Sequence, residues 1–531
     1  MFDVWTGFLS LGLALALLLL FALVHLVFVG PRSNPLRTLP GPPSKLFDNS
    51  HMILTMDPVR SPRTHAQFVK EYGRSVHIRG PLPPWQSRAL ITSLIGCGML
   101  AAEGQVHKRQ RRVATPAFSI QNLRALVPLV FSKGVTLKNK WGSLIKECAK
   151  VGRITRREEV GRLVIGLAER RLMLLALLVT ISIPSTLVVL CVLSRSTGFD
   201  YQFNAVENGE NELFRAYKEM FEIGVSQQSG SWRSALAVYI PYHDVLFPDQ
   251  AERHIKKCRA VIERIAGGLI QEKKRKISEA EKVGSTYQAR DLLTLLLKSN
   301  QSVDIAPSQR ISDEDILNNI NTFMFAGSDT TSLSITWTLL LMALFPSIQS
   351  KLRNECLSVL PSAPLESLSQ EDIESLYNII SELPYLDKVA RESLRLIPPL
   401  HSSIRVATRD DEIPTSSPIK FRQPDGTIHE ETRPIKIAKG SFIHIPVEAF
   451  NLDKEIWGES AWSFIPDRWD NLPEAVSSQP GLYSNLLTFS AGPRSCIGQK
   501  FSIIEMKSFL FILLSNFVFT QSDDKIGKAN V

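Results

Sequence analysis

Cysteine is scarce in this chain of 531 residues: Cys97, Cys148, Cys191, Cys258, Cys356 and Cys496 are scattered with no paired spacing. That excludes a disulfide framework and a C-x-x-C metal module, and it fits a reducing compartment in which a lone thiol is either core or ligand. Charge is not concentrated either. The net charge is +9, but there is no arginine-rich stripe interleaved with aromatics and no zinc-finger spacing, so no nucleic acid is expected as a partner. The basic balance points instead to an anionic membrane surface or an acidic protein. No internal repeat and no low-complexity linker divides the body. With hydrophobic residues at 44% and charged residues at 21%, the composition is that of a globular protein.

What the chain does have begins at its N-terminus. From Trp5 to Val29 the residues are almost all apolar, with Gly12 and His25 the interruptions between Leu11 and Phe28. This is long enough to cross a hydrocarbon core of about 30 Å. A cleaved signal peptide is the rival reading, but the run is too long for one and lacks a basic leading region and a small-residue cleavage site. Arg32, Arg37 and Lys45 follow the run and Asp3 precedes it, which by the positive-inside rule leaves the bulk of the protein in the cytosol. Leu39-Pro40-Gly41-Pro42-Pro43 then forms a stiff hinge that cannot continue a helix. The expected organisation is a single-pass anchor at 1–30, a proline-rich hinge at 31–45 and one body at 46–531.

The body reads as mainly α with small β-sheets. One helix is well marked: Ser312 can cap it, Asp315 stands at the capping-box position, and Ile311 and Ile316 can form a hydrophobic staple. It runs to Pro346 and is apolar nearly all round, so it is expected to be buried. Ala326-Gly327-Ser328-Asp329-Thr330-Thr331 interrupts it. A glycine inside a helix costs roughly 1 kcal/mol; the structural alternative is a tolerated kink with hydroxyls bonding back to carbonyls. A second helix spans Pro384 to Leu396, ended by Pro398-Pro399, and its Glu392 and Arg395 share a face, as ordinary surface pairs also do. Pro424-Asp425-Gly426 reads as a turn, Ile435 to Val447 as hairpin strands around Lys439-Gly440, and Phe464 to Trp469 as a loop.

The segment Phe489-Ser490-Ala491-Gly492-Pro493-Arg494-Ser495-Cys496-Ile497-Gly498 leads into a helix from about Gln499 to Phe517. A cysteine at a helix N-terminus feels the positive end of the dipole, which favours the thiolate and can tune a bound metal. Gly492 and Gly498 allow a flat ligand to approach the backbone closely, and Arg494 can pair with a ligand carboxylate. A lone cysteine is more often an inert core residue; a pattern as long as Phe-x-x-Gly-x-Arg-x-Cys-x-Gly is not.

On these residues the chain resembles the cytochrome P-450 family of haem-thiolate monooxygenases, and in particular its fungal microsomal members, from about Pro40 onward. Phe489–Gly498 resembles the haem-binding loop, with Cys496 as the axial ligand of haem b (iron protoporphyrin IX). Glu392 and Arg395 match the family's Glu-x-x-Arg, with Arg468 as the third member of a structural triad. Ala326–Thr331 matches the oxygen-activation stretch, where the resemblance implies that Thr330 contacts bound oxygen and Asp329 relays protons. His107 and Arg111 resemble the pair that holds the haem propionates, with histidine where tryptophan is commoner, and Arg405 sits where another propionate contact is usual. The implied activity is oxidation of a small lipophilic substrate in secondary metabolism or xenobiotic oxidation. Electrons would come from NADPH through a flavoprotein, NADPH–cytochrome P-450 reductase, with cytochrome b5 as a further partner. The implied location is the endoplasmic reticulum membrane, anchored in the bilayer by one span with the catalytic body facing the cytosol.

Two departures from the family pattern stand out. Between about Val151 and Leu193 the family would show a short connection. This chain shows an arginine-rich piece from Arg153 to Arg171 and then an uncharged run, Leu172–Leu193, interrupted by Pro184. A second span there would carry Cys496 to the lumenal side, so the run is expected not to cross. The second departure is at the end, where the chain stops at Val531 without the final strand hairpin that usually lines the substrate pocket. Both resemble gene-model errors; the alternatives are a truncated, inactive relative or a non-catalytic haem-binding membrane protein. The presence of Asp329 and Thr330 favours the enzyme, and a polytopic transporter is disfavoured by the body.

Overall fold

The computed structural model describes residues 34–43, 60–78, 94–150, 162–165, 212–226, 250–284, 292–302 and 305–521, with isolated positions at 12–14, 17–18, 21, 51, 54–55, 57 and 92. Most of the apolar run Trp5–Val29, all of Leu172–Leu193 and residues beyond 521 lie outside them. Among the described residues no single helix is long and apolar enough to cross a membrane. The described chain divides into two compact units, one of residues 1–85 with 402–449 and the other of 86–401 with 450–531.

The larger unit is helical. Its longer helices are, with α1 (Ser61–Tyr72) reserved for the other unit, α2 (Gly104–Ala114), α3 (Val127–Lys150), α4 (Glu212–Ser226), α5 (Gln250–Lys282), α6 (Leu292–Gln301), α7 (Asp313–Leu344), α8 (Pro346–Ser358), α9 (Gln370–Ser381), α10 (Pro384–Leu396) and α11 (Gln499–Asn516). The α7 start follows its sequence signals: the Ser312 hydroxyl accepts from the Asp315 N–H at 3.0 Å and the Asp315 carboxylate accepts in return from the Ser312 N–H. Ile311 and Ile316 are both buried. Pro346 does more than stop this helix, because it begins α8, where its missing N–H is no loss.

Helix α11 is the hub of this unit. It packs against α3, α7, α8, α9 and α10, and an unbroken run from Ile504 to Ser515 is buried. An all-round apolar helix can be accommodated only where neighbours cover every face. A short parallel pair joins β1 (Arg162–Ile165), within the stretch read as an insertion, to β8 (Val518–Gln521). Strand β8 is pinned by Gln349, whose side chain both donates to and accepts from the Phe519 backbone at 2.8 Å.

The smaller unit contains α1 and three antiparallel pairs: β2 (Ser403–Val406) with β7 (Phe442–Ile445), β3 (Asp411–Ile413) with β6 (Ile435–Ile437), and β4 (Ile419–Arg422) with β5 (Ile428–Glu431). Leu39, Ile419, Phe421, Ile435 and Ile437 form its core. The turn at Pro424–Gly426 closes the β4–β5 hairpin as expected. The hairpin expected within Ile435–Val447 is corrected. Its two strands and the Gly440 turn exist, but β6 pairs with β3 and β7 with β2. Alternation in sequence marks a strand without choosing its partner. The loop expected at Phe464–Trp469 is largely a 3-10 turn, Pro466–Asp470.

Candidate active site

Cys496 sits between a 3-10 turn, Gly492–Arg494, and the start of α11. Its N–H donates to the Phe489 carbonyl at 2.9 Å, closing the loop on itself. Gly492 has φ 69°, in the left-handed region open to glycine. Phe489 is buried edge-on against Tyr483, with ring centroids 5.7 Å apart. The Cys496 side chain is accessible although protein surrounds it on most sides. Burial therefore pushes the thiol up, while the N–H groups of Gly498 and Gln499 and the Arg111 charge pull it down. Accessibility is the property that matters for a ligand, since a metal ion that reaches the sulfur stabilises the thiolate and the proton leaves to solvent. A Cβ on Gly498 would stand 3.9 Å from that sulfur.

Three basic side chains converge beside this loop. His107 and Arg111 are one turn apart on α2. Arg111 donates to the Ser495 carbonyl at 2.6 Å, immediately before Cys496. Arg494 reaches the carbonyls of Met99 (3.3 Å) and Ala102 (2.7 Å). Burial first, then the Arg494 and Arg111 charges, hold the His107 imidazole below its ordinary pKa. Cationic groups that disfavour one another's protons mark a place suited to anions. The 96–102 turn that receives Arg494 is pressed onto α7. A Cβ on Gly98 would fall 2.2 Å from the Asn318 carbonyl, and the Met99 N–H donates to the Asn319 side chain at 3.1 Å.

Within α7, Ala326 and Thr330 are exposed and Gly327 is half-buried, while Thr322–Met324 and Thr331–Ser332 are buried. Exposure at i and i+4, with the half-buried Gly327 beside them, makes a short accessible face on this stretch of α7. The Thr330 hydroxyl donates to the Ala326 carbonyl at 2.9 Å, the back-bond that lets a threonine sit inside a helix. Asp329 lies in the same helix, but its side chain is outside the described residues.

Glu392 and Arg395 are no surface pair. Both are fully buried, and Arg395 forks onto the carboxylate at 3.0 and 2.9 Å. The remaining Arg395 donors go to the carbonyls of Asn451 (2.9 Å), Ala461 (2.6 Å) and Ser463 (3.2 Å). Arg468 joins Glu392 at 3.2 Å and ties the carbonyls of Trp457, Ser460 and Ser463. Sequence reasoning missed Trp469, whose indole N–H donates to Glu392 at 3.2 Å. It also missed Asn451 and Thr488. The Asn451 amide donates to the Thr488 hydroxyl at 2.9 Å, its oxygen accepts from the Leu487 N–H at 3.2 Å, and Thr488 donates to the Leu394 carbonyl at 2.8 Å. Thr488 is the residue before Phe489, and no spacing rule connects it with a position 37 residues earlier.

Arg405 belongs to the other unit. It lies in β2 of the smaller unit, exposed, with its guanidinium on the Ile404 carbonyl at 2.9 Å.

Haem can be tested against this donor set. It needs one soft axial donor that a metal can reach and cations for two carboxylates. The accessible Cys496 thiol supplies the first; Arg111 and Arg494 supply the second, with the imidazole of His107 as a neighbouring ring N–H donor. The residues fit.

The comparisons with known proteins agree. Residues 187–530 match the family model described as Cytochrome P-450. The chain is 33% identical to cytochrome P-450 monooxygenase 128 of Postia placenta, over 92% of this chain and 87% of that protein. It is 32% identical to monooxygenase 205 of the same fungus, over 96% and 91%. A ganoderic acid synthetase of Ganoderma lucidum is 31% identical over 92% of this chain and 83% of its own length.

Proposed function

The chain belongs to the cytochrome P-450 family of monooxygenases, and from that premise we propose that it inserts one oxygen atom from O2 into a small lipophilic organic molecule in fungal secondary metabolism or xenobiotic oxidation. Haem b, when bound, supplies the activation of O2. Cys496 would hold its iron through sulfur and supply electron density to it. His107, Arg111 and Arg494 bind the carboxylate side chains. Thr330 presents a hydroxyl on the accessible face of α7, and Asp329, from the next position back, feeds protons from solvent toward it. The buried Glu392 cluster keeps the Cys496 loop in place. The relative named for ganoderic acid supports the placement in secondary metabolism.

NADPH–cytochrome P-450 reductase supplies the electrons, with cytochrome b5 as a second donor; the basic excess of +9 suits docking of an acidic flavin domain. The apolar run before the hinge anchors the chain in the endoplasmic reticulum membrane with the body in the cytosol. A glycosylation acceptor placed near Val531 should stay unmodified in cells; modification there would reverse this topology.

The observation that carries the reading is the accessible thiol of Cys496 beside three basic side chains. Its test is reconstitution of the holoprotein with the reductase in lipid vesicles, NADPH and a panel of lipophilic natural products under 18O2. One labelled atom per product molecule is expected. Absence of labelled product from every compound that perturbs the haem spectrum overturns the proposal.

A further inference from the structure

Helices α4 and α5, away from the Cys496 loop in sequence, bring three metal-binding side chains together. His254 and Cys258 stand four residues apart on α5, so they occupy one face a turn apart. Glu219 reaches them from α4. His254 Nε2 lies 2.8 Å from Glu219 Oε2, and Cys258 Sγ lies 4.0 Å from the same oxygen. The three donor atoms all fall within 4.8 Å of one another. Ligand atoms placed tetrahedrally at Zn–N, Zn–O and Zn–S bond lengths stand roughly 3.3–3.8 Å apart. The observed 2.8 and 4.0 Å separations bracket that spacing.

The chemistry of the set selects the ion. One thiolate, one imidazole and one carboxylate are a borderline-soft combination that suits Zn2+ and offers little to Mg2+ or Ca2+, which prefer all-oxygen shells. Cys258 is buried, whereas the His254 and Glu219 side chains are 46% and 40% exposed. An ion therefore enters from solvent and keeps water at its fourth position. The bland alternative is a histidine–carboxylate ion pair beside an inert core cysteine.

We propose that Glu219, His254 and Cys258 form a Zn2+ site that clips α4 to α5. Binding converts the Cys258 thiol to a Zn-bound thiolate and releases its proton to water, with no redox change. Burial and the Glu219 charge raise that thiol above its ordinary pKa when no cation is present. The clip joins the two ends of the intervening segment 227–249, and a ligand that binds the folded state alone raises stability by mass action.

The experiment uses the haem-loaded full chain, stripped with a chelator and dialysed against limiting Zn2+. Zinc is counted per haem, and X-ray absorption is read at the zinc edge, where iron does not interfere. One zinc per chain is expected, with one sulfur at about 2.3 Å and lighter ligands at about 2.0 Å. The thermal midpoint should rise on zinc addition. Cys258→Ser should remove the sulfur shell, and both it and His254→Ala should weaken zinc at least tenfold with unchanged far-ultraviolet circular dichroism. If Cys258→Ser does not fold, His254→Ala and Glu219→Gln, both at accessible positions, carry the test. Zinc bound without sulfur, sulfur retained in Cys258→Ser, or unaltered affinity in His254→Ala overturns the assignment, as does no zinc binding.

Discussion

Asn451 donates its side-chain amide to the Thr488 hydroxyl at 2.9 Å, and that bond joins the buried Glu392 cluster to the loop carrying Cys496. On one side the Asn451 carbonyl takes the Arg395 guanidinium; on the other, Thr488 leads directly into Phe489. The buried charges thus brace the strand of chain that aims the sulfur. Asn451→Ala leaves the Leu487 N–H without its acceptor, and stranding such a group costs about 1–3 kcal/mol. The denaturant midpoint should fall, together with the fraction of haem giving the red-shifted Soret band under carbon monoxide. Thr488→Val should couple with it non-additively, by roughly 0.5–3 kcal/mol. Simple additivity in the double variant would show that the two residues act separately.

Breaking the buried ion cluster should be far more damaging than breaking an exposed pair. Arg395→Ala leaves the fully buried Glu392 with Arg468 as its remaining charged partner and strands the carbonyls of Asn451 and Ala461, a loss of about 3–5 kcal/mol. The exposed Lys388–Asp470 pair at 2.6 Å is the control, since such pairs are worth at most about 1 kcal/mol. Haem content after purification and urea midpoints compare the two. Equal losses in Arg395→Ala and Lys388→Ala would contradict a bracing role.

Cys496→Ser replaces a soft sulfur with a hard oxygen while keeping nearly the same volume. The red-shifted Soret band of the reduced carbon monoxide complex should disappear. A variant that retained it would place the ligand elsewhere.

Thr330→Ala removes the hydroxyl from the exposed face of α7 while leaving the helix bonds in place. Haem binding should be unchanged. Product formed per NADPH should drop about 100-fold, the lower end of what one positioned proton-transfer group contributes, with hydrogen peroxide appearing in its place. Unchanged coupling on a substrate that turns over removes Thr330 from proton delivery.

Glu505 on α11 is completely buried, and burial pushes its carboxyl well above the usual range, eased slightly by Thr331. Thr331 makes no hydrogen bond of ordinary geometry to it, and both carboxyl oxygens are without a partner. An unfolded glutamate loses its proton near pH 4.3, whereas the folded one retains it to higher pH. Stability from this group is therefore full below about pH 4.3 and falls as pH rises toward the folded pKa. Glu505→Gln should remove that slope, so that its stability relative to the parent is greater at pH 8 than at pH 5. Denaturant melts at pH 5 and pH 8 measure it, and a gap that does not widen with pH rules out a protonated Glu505.

Much of this was legible locally. The capping box at Ser312 and Asp315, the bounds of α10 and the loop-to-helix setting of Cys496 were readable because each depends on residues within a turn or two of one another. Spacing put Glu392 and Arg395 on one face but left their burial undecided, and burial turns a weak surface pair into a brace. Asn451, Thr488 and Trp469 carry no local signature, because their partners lie at distances in sequence that no periodicity encodes. The β6–β7 hairpin failed for the same reason: each strand was visible, but the choice of partner was settled by which apolar faces met in the core. His254 and Cys258 share a helical face that could be read from their numbers, whereas Glu219 is brought to them by the packing of α4 on α5. Short-range sterics and hydrogen bonds act between near neighbours and are written into the sequence. Burial, charge pairing and ligand sets depend on contacts made only when distant segments exclude water together, and those the tertiary structure decided.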